Sequence, residues 1–238
     1  MGMYKHIISL GEDCFMRTMV HNFSLRELYS TRMPFDGSIH PYGKMCSLIE
    51  TDFKDYYLGL AKKQNKKVYW SLPGGIILNH EQIDVDETSL KAQLDIRINQ
   101  FLEVLSTSEK NKDGVLFLIH PRPKKWYGKF DITPLRRAIK LKYPNLSYHV
   151  FICNTFNTTE DRYGDDDYTY CDITWKSPGT QQFWQSKDLS SINNRFIDEV
   201  YKTLYGVSFS KLVLKEICSI LGESTSKYNL NNHRDPRP

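Results

Sequence analysis

The run Gly114-Val115-Leu116-Phe117-Leu118-Ile119-His120 constrains this chain more than any other stretch. It is apolar without a break from Val115 to Ile119 and shows none of the alternation of a strand with one wet face. A strand of that kind is covered on both faces, the condition of a central strand in a parallel sheet. Ile7-Ile8-Ser9-Leu10 and Ser147-Tyr148-His149-Val150-Phe151-Ile152-Cys153 read as further strands, with helical spacing between them. Alternating strands and helices predict an α/β fold: a single layered domain with a mostly parallel sheet flanked by helices. With 238 residues, 40% of them hydrophobic, one domain over 1–222 is expected. The polar, proline-ended stretch 223–238 reads as a flexible tail.

Around that run, Phe15, Met19 and Val20 share a helical face after Asp13, a predicted N-cap. Pro34 and Asp36-Gly37 mark a turn. Met45, Leu48, Ile49 and Phe53 predict a helix over 42–59, and Lys62 to Lys67 a solvated connection. Residues 68–72 and 75–80 read as a hairpin around Pro73-Gly74. Leu90, Leu94, Ile98, Phe101, Leu102 and Leu105 form one stripe of a helix over 87–106. A short basic helix is expected over 133–141, an acidic loop over 157–167, a last strand over 168–175, and helices over 191–205 and 208–221.

Composition excludes several classes. The five cysteines (Cys14, Cys46, Cys153, Cys171, Cys218) are odd in number and form no CxxC pair, which argues against a disulfide framework and a structural zinc site. The sequence predicts a reducing, cytoplasmic setting, with no secretory leader and no apolar run long enough to span a bilayer. A net charge of +4 without a concentrated basic face argues against nucleic acid. Walker, dinucleotide-glycine and GxSxG patterns are absent. Asp165-Asp166-Asp167 lacks EF-hand spacing and reads as a solvated turn, so neither metal nor cofactor is expected.

In an open α/β sheet, ligands are handled at the carboxyl ends of the strands. The first strand ends in Gly11-Glu12-Asp13-Cys14, with Cys14 where a helix begins. A helix dipole favours a thiolate there, the nucleophilic form of cysteine. Other strand ends supply His80 (between Asn79 and Glu81), His120 and Asn154. A thiol nucleophile needs an imidazole to take its proton, and the imidazole needs a polar group to orient it. Cys14, His80 or His120, and Asn154 or Glu81 meet that need, with Asp36 a second orienter. Backbone N–H groups of Gly11 to Phe15 can stabilise an oxyanion. Arg122, in a loop with Lys124, Lys125, Trp126 and Tyr127, suits an anionic or sugar ligand.

Ser9-Leu10-Gly11 leading to Cys14, then Leu25-Arg26 and Pro34-Phe35-Asp36, resembles an uncharacterised family described as papain-like cysteine peptidases. Gly37 stands where that family usually has Trp, and Asn79-His80-Glu81 is similar to its downstream His-acidic element. The resemblance implies Cys14 as nucleophile, a histidine base, and Phe35 and Asp36 in a wall of the site. A papain-like fold packs the nucleophile helix on an antiparallel sheet, whereas this pattern reads parallel. The expected reaction therefore extends from peptide cleavage to acyl hydrolysis or transfer, on a peptide, acyl or glycan substrate. A glycan- or nucleotide-sugar transferase, as in surface polysaccharide biosynthesis, would use the same crevice without covalent catalysis. A binding module would use it without any chemistry. The choice of base and the oligomeric state stay open.

Overall fold

The computed structural model describes residues 4–22, 25, 32–62, 69–71, 74–78, 85–121, 130–155, 162–173, 195–200 and 202–203. The elements run β1 (His6–Ser9), α1 (Phe15–Asn22), α2 (Tyr42–Glu50), β2 (Leu60–Lys62), β3 (Tyr69–Ser71), β4 (Ile76–Leu78), α3 (Glu87–Asn111), β5 (Val115–Ile119), α4 (Thr133–Lys142), β6 (Tyr148–Asn154), β7 (Arg162–Asp165) and β8 (Tyr168–Asp172). Residues 195–200 and 202–203 are helical.

A five-stranded sheet has the order β1-β5-β6-β8-β7. Its first four strands pair in parallel, and β7 pairs antiparallel to β8, so the sheet is mixed but mostly parallel. Every residue of β5 is buried, as its uninterrupted apolar run requires. Side chains alternate between the two sides of the sheet. Ile8, Val115, Phe117, Ile119, Val150 and Ile152 join one apolar cluster with residues of α2, α3 and α4. Ile7, Leu116, Leu118, Phe151 and Cys153 join a second with Phe15, Met16, Met19 and Val20 of α1 and with Phe196 and Val200. The second sheet, β2-β3-β4, is antiparallel, and an isolated bridge from Ile77 to Ile39 ties it to the segment before α2.

Three elements differ from the sequence pattern. The helix expected over 42–59 stops at Glu50, because Asp52 and Phe53 take φ of 51° and 61°. A left-handed residue other than glycine costs about 1–2 kcal/mol, the same order as burying a phenyl ring gives back. Here the turn sends Phe53 among Phe35, Tyr56 and Phe101, with centroids 5.5 to 5.7 Å apart. Within the expected acidic loop, 162–165 form β7, because the solvated turn at Asp165 to Asp167 closes an antiparallel hairpin with β8. Leu60–Lys62 adds a strand between the helix expected to end at 59 and the connection expected from Lys62, and takes in the first residue of that connection. The expected helix over 208–221 and the tail over 223–238 lie outside the described residues.

Candidate active site

Register brings the site together. Ser9 is level with Leu118, and Leu118 with Phe151, across three parallel strands. Two residues on, His120 N–H donates to Gly11 O at 3.3 Å, continuing the β1–β5 ladder past the end of β1. Gly11 takes φ of +84°, a conformation that glycine adopts without strain, and the chain turns there from β1 toward α1. The turn delivers Asp13 to the side of His120.

His120 Nδ1 lies 2.8 Å from Asp13 Oδ2, and Nε2 lies 2.7 Å from Thr155 Oγ1. A carboxylate only accepts, so Nδ1 carries the proton toward Asp13 and Nε2 is left as the ring's other hydrogen-bonding site. One face of the imidazole is covered by the Phe15 ring, with centroids 4.3 Å apart and planes 30° apart. The His120 side chain is 1% exposed, whereas that of Asp13 is 23% exposed. The carboxylate is thus the member of the pair that meets solvent, with the imidazole behind it. Asp13 Oδ1 also accepts from Phe15 N–H at 2.9 Å, so one side chain both caps the first turn of α1 and holds the histidine.

Cys14 follows directly. Its carbonyl accepts from Thr18 N–H (3.0 Å) and Thr18 Oγ1 (2.9 Å), which sets the residue at the amino end of α1. Of the described cysteines, all free, Cys14 alone is partly exposed, while Cys46, Cys153 and Cys171 are buried. Burial pushes the Cys46 and Cys171 thiols up to about 12 and raises that of Cys153 well above the ordinary range. Among the described cysteines, Cys14 alone combines partial exposure of the residue with a helix amino end.

The other sequence candidates fall in different places. Glu12 is buried, and its Oε1 accepts from Tyr42 N–H at 2.7 Å, where α2 starts behind Pro41 with no side-chain cap of its own. Phe35 lies in the apolar cluster, edge-on to His40 and Phe101. Asp36 accepts from Ser9 Oγ at 2.6 Å and Met33 N–H at 2.7 Å. Asn154 donates its amide to Asp172 Oδ1 at 2.6 Å, and Tyr170 donates to the same oxygen at 2.8 Å. His80, Glu81 and Arg122 lie outside the described residues.

Three buried polar residues were not singled out by the sequence. Thr155 directly follows the predicted strand-end Asn154, and Asp172 is level with Asn154 in the parallel register, so both positions carried a usable signal. His40 carried none: it is buried against Phe35 and Tyr56, and burial holds its imidazole down to about 3, so the ring is neutral.

Among the described residues no group of three or more His, Cys, Asp or Glu is arranged to hold a metal ion, and no helix is long and apolar enough to cross a membrane. No family model matches the chain, and neither does any curated protein or solved structure.

Proposed function

We propose that this chain is a thiol-dependent acyl hydrolase or acyl transferase, papain-like in chemistry, in which Cys14 is the nucleophile and the Asp13–His120 pair handles the proton. The observation that carries the reading is the 2.8 Å bond from His120 to Asp13, next in sequence to a partly exposed cysteine at the amino end of a helix. In the first half-reaction the Cys14 thiol gives its proton to the pair, and Sγ bonds to the acyl carbonyl. The amine or alcohol leaving group departs as the C–N or C–O bond breaks, and takes that proton. In the second half, water or an acceptor hydroxyl gives a proton to the pair and attacks the thioester, and the released Cys14 sulfur is reprotonated. Backbone N–H groups at the start of α1, other than that of Phe15, which donates to Asp13 Oδ1, are suited to the oxyanion. The substrate class is a peptide, ester or acylated glycan, and a reducing compartment suits a free thiol.

The test is alkylation of the intact chain by a thiol-directed electrophile, followed site by site. Cys14 is expected to react at least tenfold faster than a denatured-state thiol, with loss of that advantage in His120→Gln and Asp13→Asn but not in His80→Gln. A Cys14 no faster than an ordinary thiol sinks the nucleophile. The second reading, transfer to a sugar hydroxyl without a covalent intermediate, takes the partly exposed Asp13 carboxylate, held by His120, as its base. It requires turnover to survive Cys14→Ser.

A further inference from the structure

We propose that Thr155 is a positioning residue that allows the buried His120 ring to gain and lose a proton in place, by being a hydrogen-bond partner for both states of Nε2. The inference rests on the Asp13–His120 pair being the proton-handling unit described above.

A proton-carrying imidazole needs a partner for each form. Neutral His120, with its Nδ1 proton donated to Asp13, presents a lone pair at Nε2 that needs a donor. Protonated His120 presents Nε2–H, which needs an acceptor. A backbone carbonyl would satisfy only the charged ring, and a backbone N–H only the neutral one. A hydroxyl rotates and serves either, and Thr155 Oγ1 lies 2.7 Å from Nε2. With the ring 1% exposed, water is a poor substitute for this hydroxyl, and losing an acceptor for Nε2–H of the charged ring costs more than losing a donor to the neutral one. The Thr155 side chain is itself buried, so its hydroxyl points inward, with no role at the surface.

The groups around the ring bear this out. Asp13 faces it from the turn before α1, and Phe15 of α1 covers one face with no charge of its own. At the end of β6, Thr155 meets Nε2, while the neighbouring Asn154 turns to Asp172. Asp172 is buried and takes its bonds from Asn154 and Tyr170, leaving Thr155 as the β6-end residue bonded to Nε2.

The experiment records ring-nitrogen NMR of His120 in the full chain across pH, assigned by its disappearance in His120→Gln, together with the pH profile of Cys14 alkylation. Thr155→Val keeps the shape and removes the hydroxyl; Thr155→Ser restores it. In wild type and Thr155→Ser the neutral ring carries its proton on Nδ1, and the two titrate together. In Thr155→Val the midpoint falls by about one pH unit or more, a tenfold loss of the protonated form, and Cys14 alkylation near neutrality slows by a similar factor. A Thr155→Val ring that titrates with wild type overturns the proposal, as does a Thr155→Ser that behaves like Thr155→Val. If Thr155→Val does not fold, the wild-type ring still decides: a neutral His120 with its proton on Nε2 refutes the arrangement. Should Cys14 react as an ordinary thiol throughout, the thiol reaction falls, while the ring titration continues to judge Thr155.

Discussion

Ser9 donates its hydroxyl to Asp36 Oδ1 at 2.6 Å, tying the last residue of β1 to a turn 27 residues further along. The same carboxylate takes the Met33 N–H on its other oxygen, at 2.7 Å. Both Ser9 and Asp36 are buried. The two most recognisable pieces of the sequence, Ser-Leu-Gly-x-x-Cys and Pro-Phe-Asp, are therefore two halves of one internal contact.

Asp36→Ala is expected to leave a buried hydroxyl and a buried N–H without this acceptor, at about 1–3 kcal/mol each. Ser9→Ala removes one donor and leaves the Met33 bond, so it costs less, about 1–2 kcal/mol. The double variant should be less destabilised than the sum, with a coupling of about 1 kcal/mol or more. Urea midpoints of the four proteins measure it. Additive losses would show that the contact does not hold the turn to the strand.

Cysteine labelling without denaturant should be selective. Cys46, Cys153 and Cys171 are buried with thiols held protonated, while Cys14 is partly exposed. Among the described cysteines, brief iodoacetamide treatment is expected to modify Cys14 first, with the other three following only in urea. Peptide mass spectrometry reads the order, and early modification of Cys153 would contradict the packing of β6.

His40 makes stability depend on pH. Burial holds its imidazole down to about 3, whereas an unfolded histidine titrates near 6.5. Between those values the unfolded chain binds the extra proton, so stability is complete above about pH 6.5 and declines as the pH falls toward 3. A single group contributes at most about 1.4 kcal/mol per pH unit. His149 also titrates lower because of burial, so the comparison must isolate His40. The pH slope of the urea midpoint should flatten in His40→Phe, which keeps an aromatic ring between Phe35 and Tyr56. An unchanged slope would mean that His40 takes up protons in the folded chain as readily as in the unfolded one.

The parallel strands were legible because burial on both faces writes itself as unbroken apolar runs, as in Val115–Ile119. The α3 stripe was legible through its period. The bond between Asp13 and His120 was not, although both residues were candidates, because it depends on the β1–β5 register, which pairs residues 109 positions apart. An apolar run is compatible with several registers, and only the packed sheet selects one. Asp13 was read as a cap because capping is local; its second bond is not. The end of α2 escaped for the opposite reason: Phe53 fits the helical stripe by spacing, and a tertiary aromatic cluster overrides that spacing.

The β7–β8 hairpin offers the last test, because Arg136 and Gly164 both bear on its one antiparallel pairing. Arg136 of α4 reaches Asp167 through Nε at 2.9 Å to both carboxylate oxygens, and Asp165 through Nη2 at 2.6 Å. Its guanidinium also lies 5.2 Å from the Tyr168 ring centroid. The carboxylates raise the guanidinium pKa further, so the charge persists at any working pH. Because the arginine is partly exposed, Arg136→Met should cost only about 1 kcal/mol, and less in high salt. Gly164 faces a harder limit: an added Cβ would run into the Tyr168 carbonyl and lie 3.0 Å from Thr169 Cα, so backbone must shift to admit it. Gly164→Ala is therefore expected to cost about 1–3 kcal/mol, all of it in the hairpin. Hydrogen exchange should show faster loss of protection across 162–172 and in the β6 N–H groups that pair with it, with β5 unaffected. Equal loosening of β5 would mean that the hairpin belongs to the same cooperative unit as the central strands, and that its edge position gives it no independence.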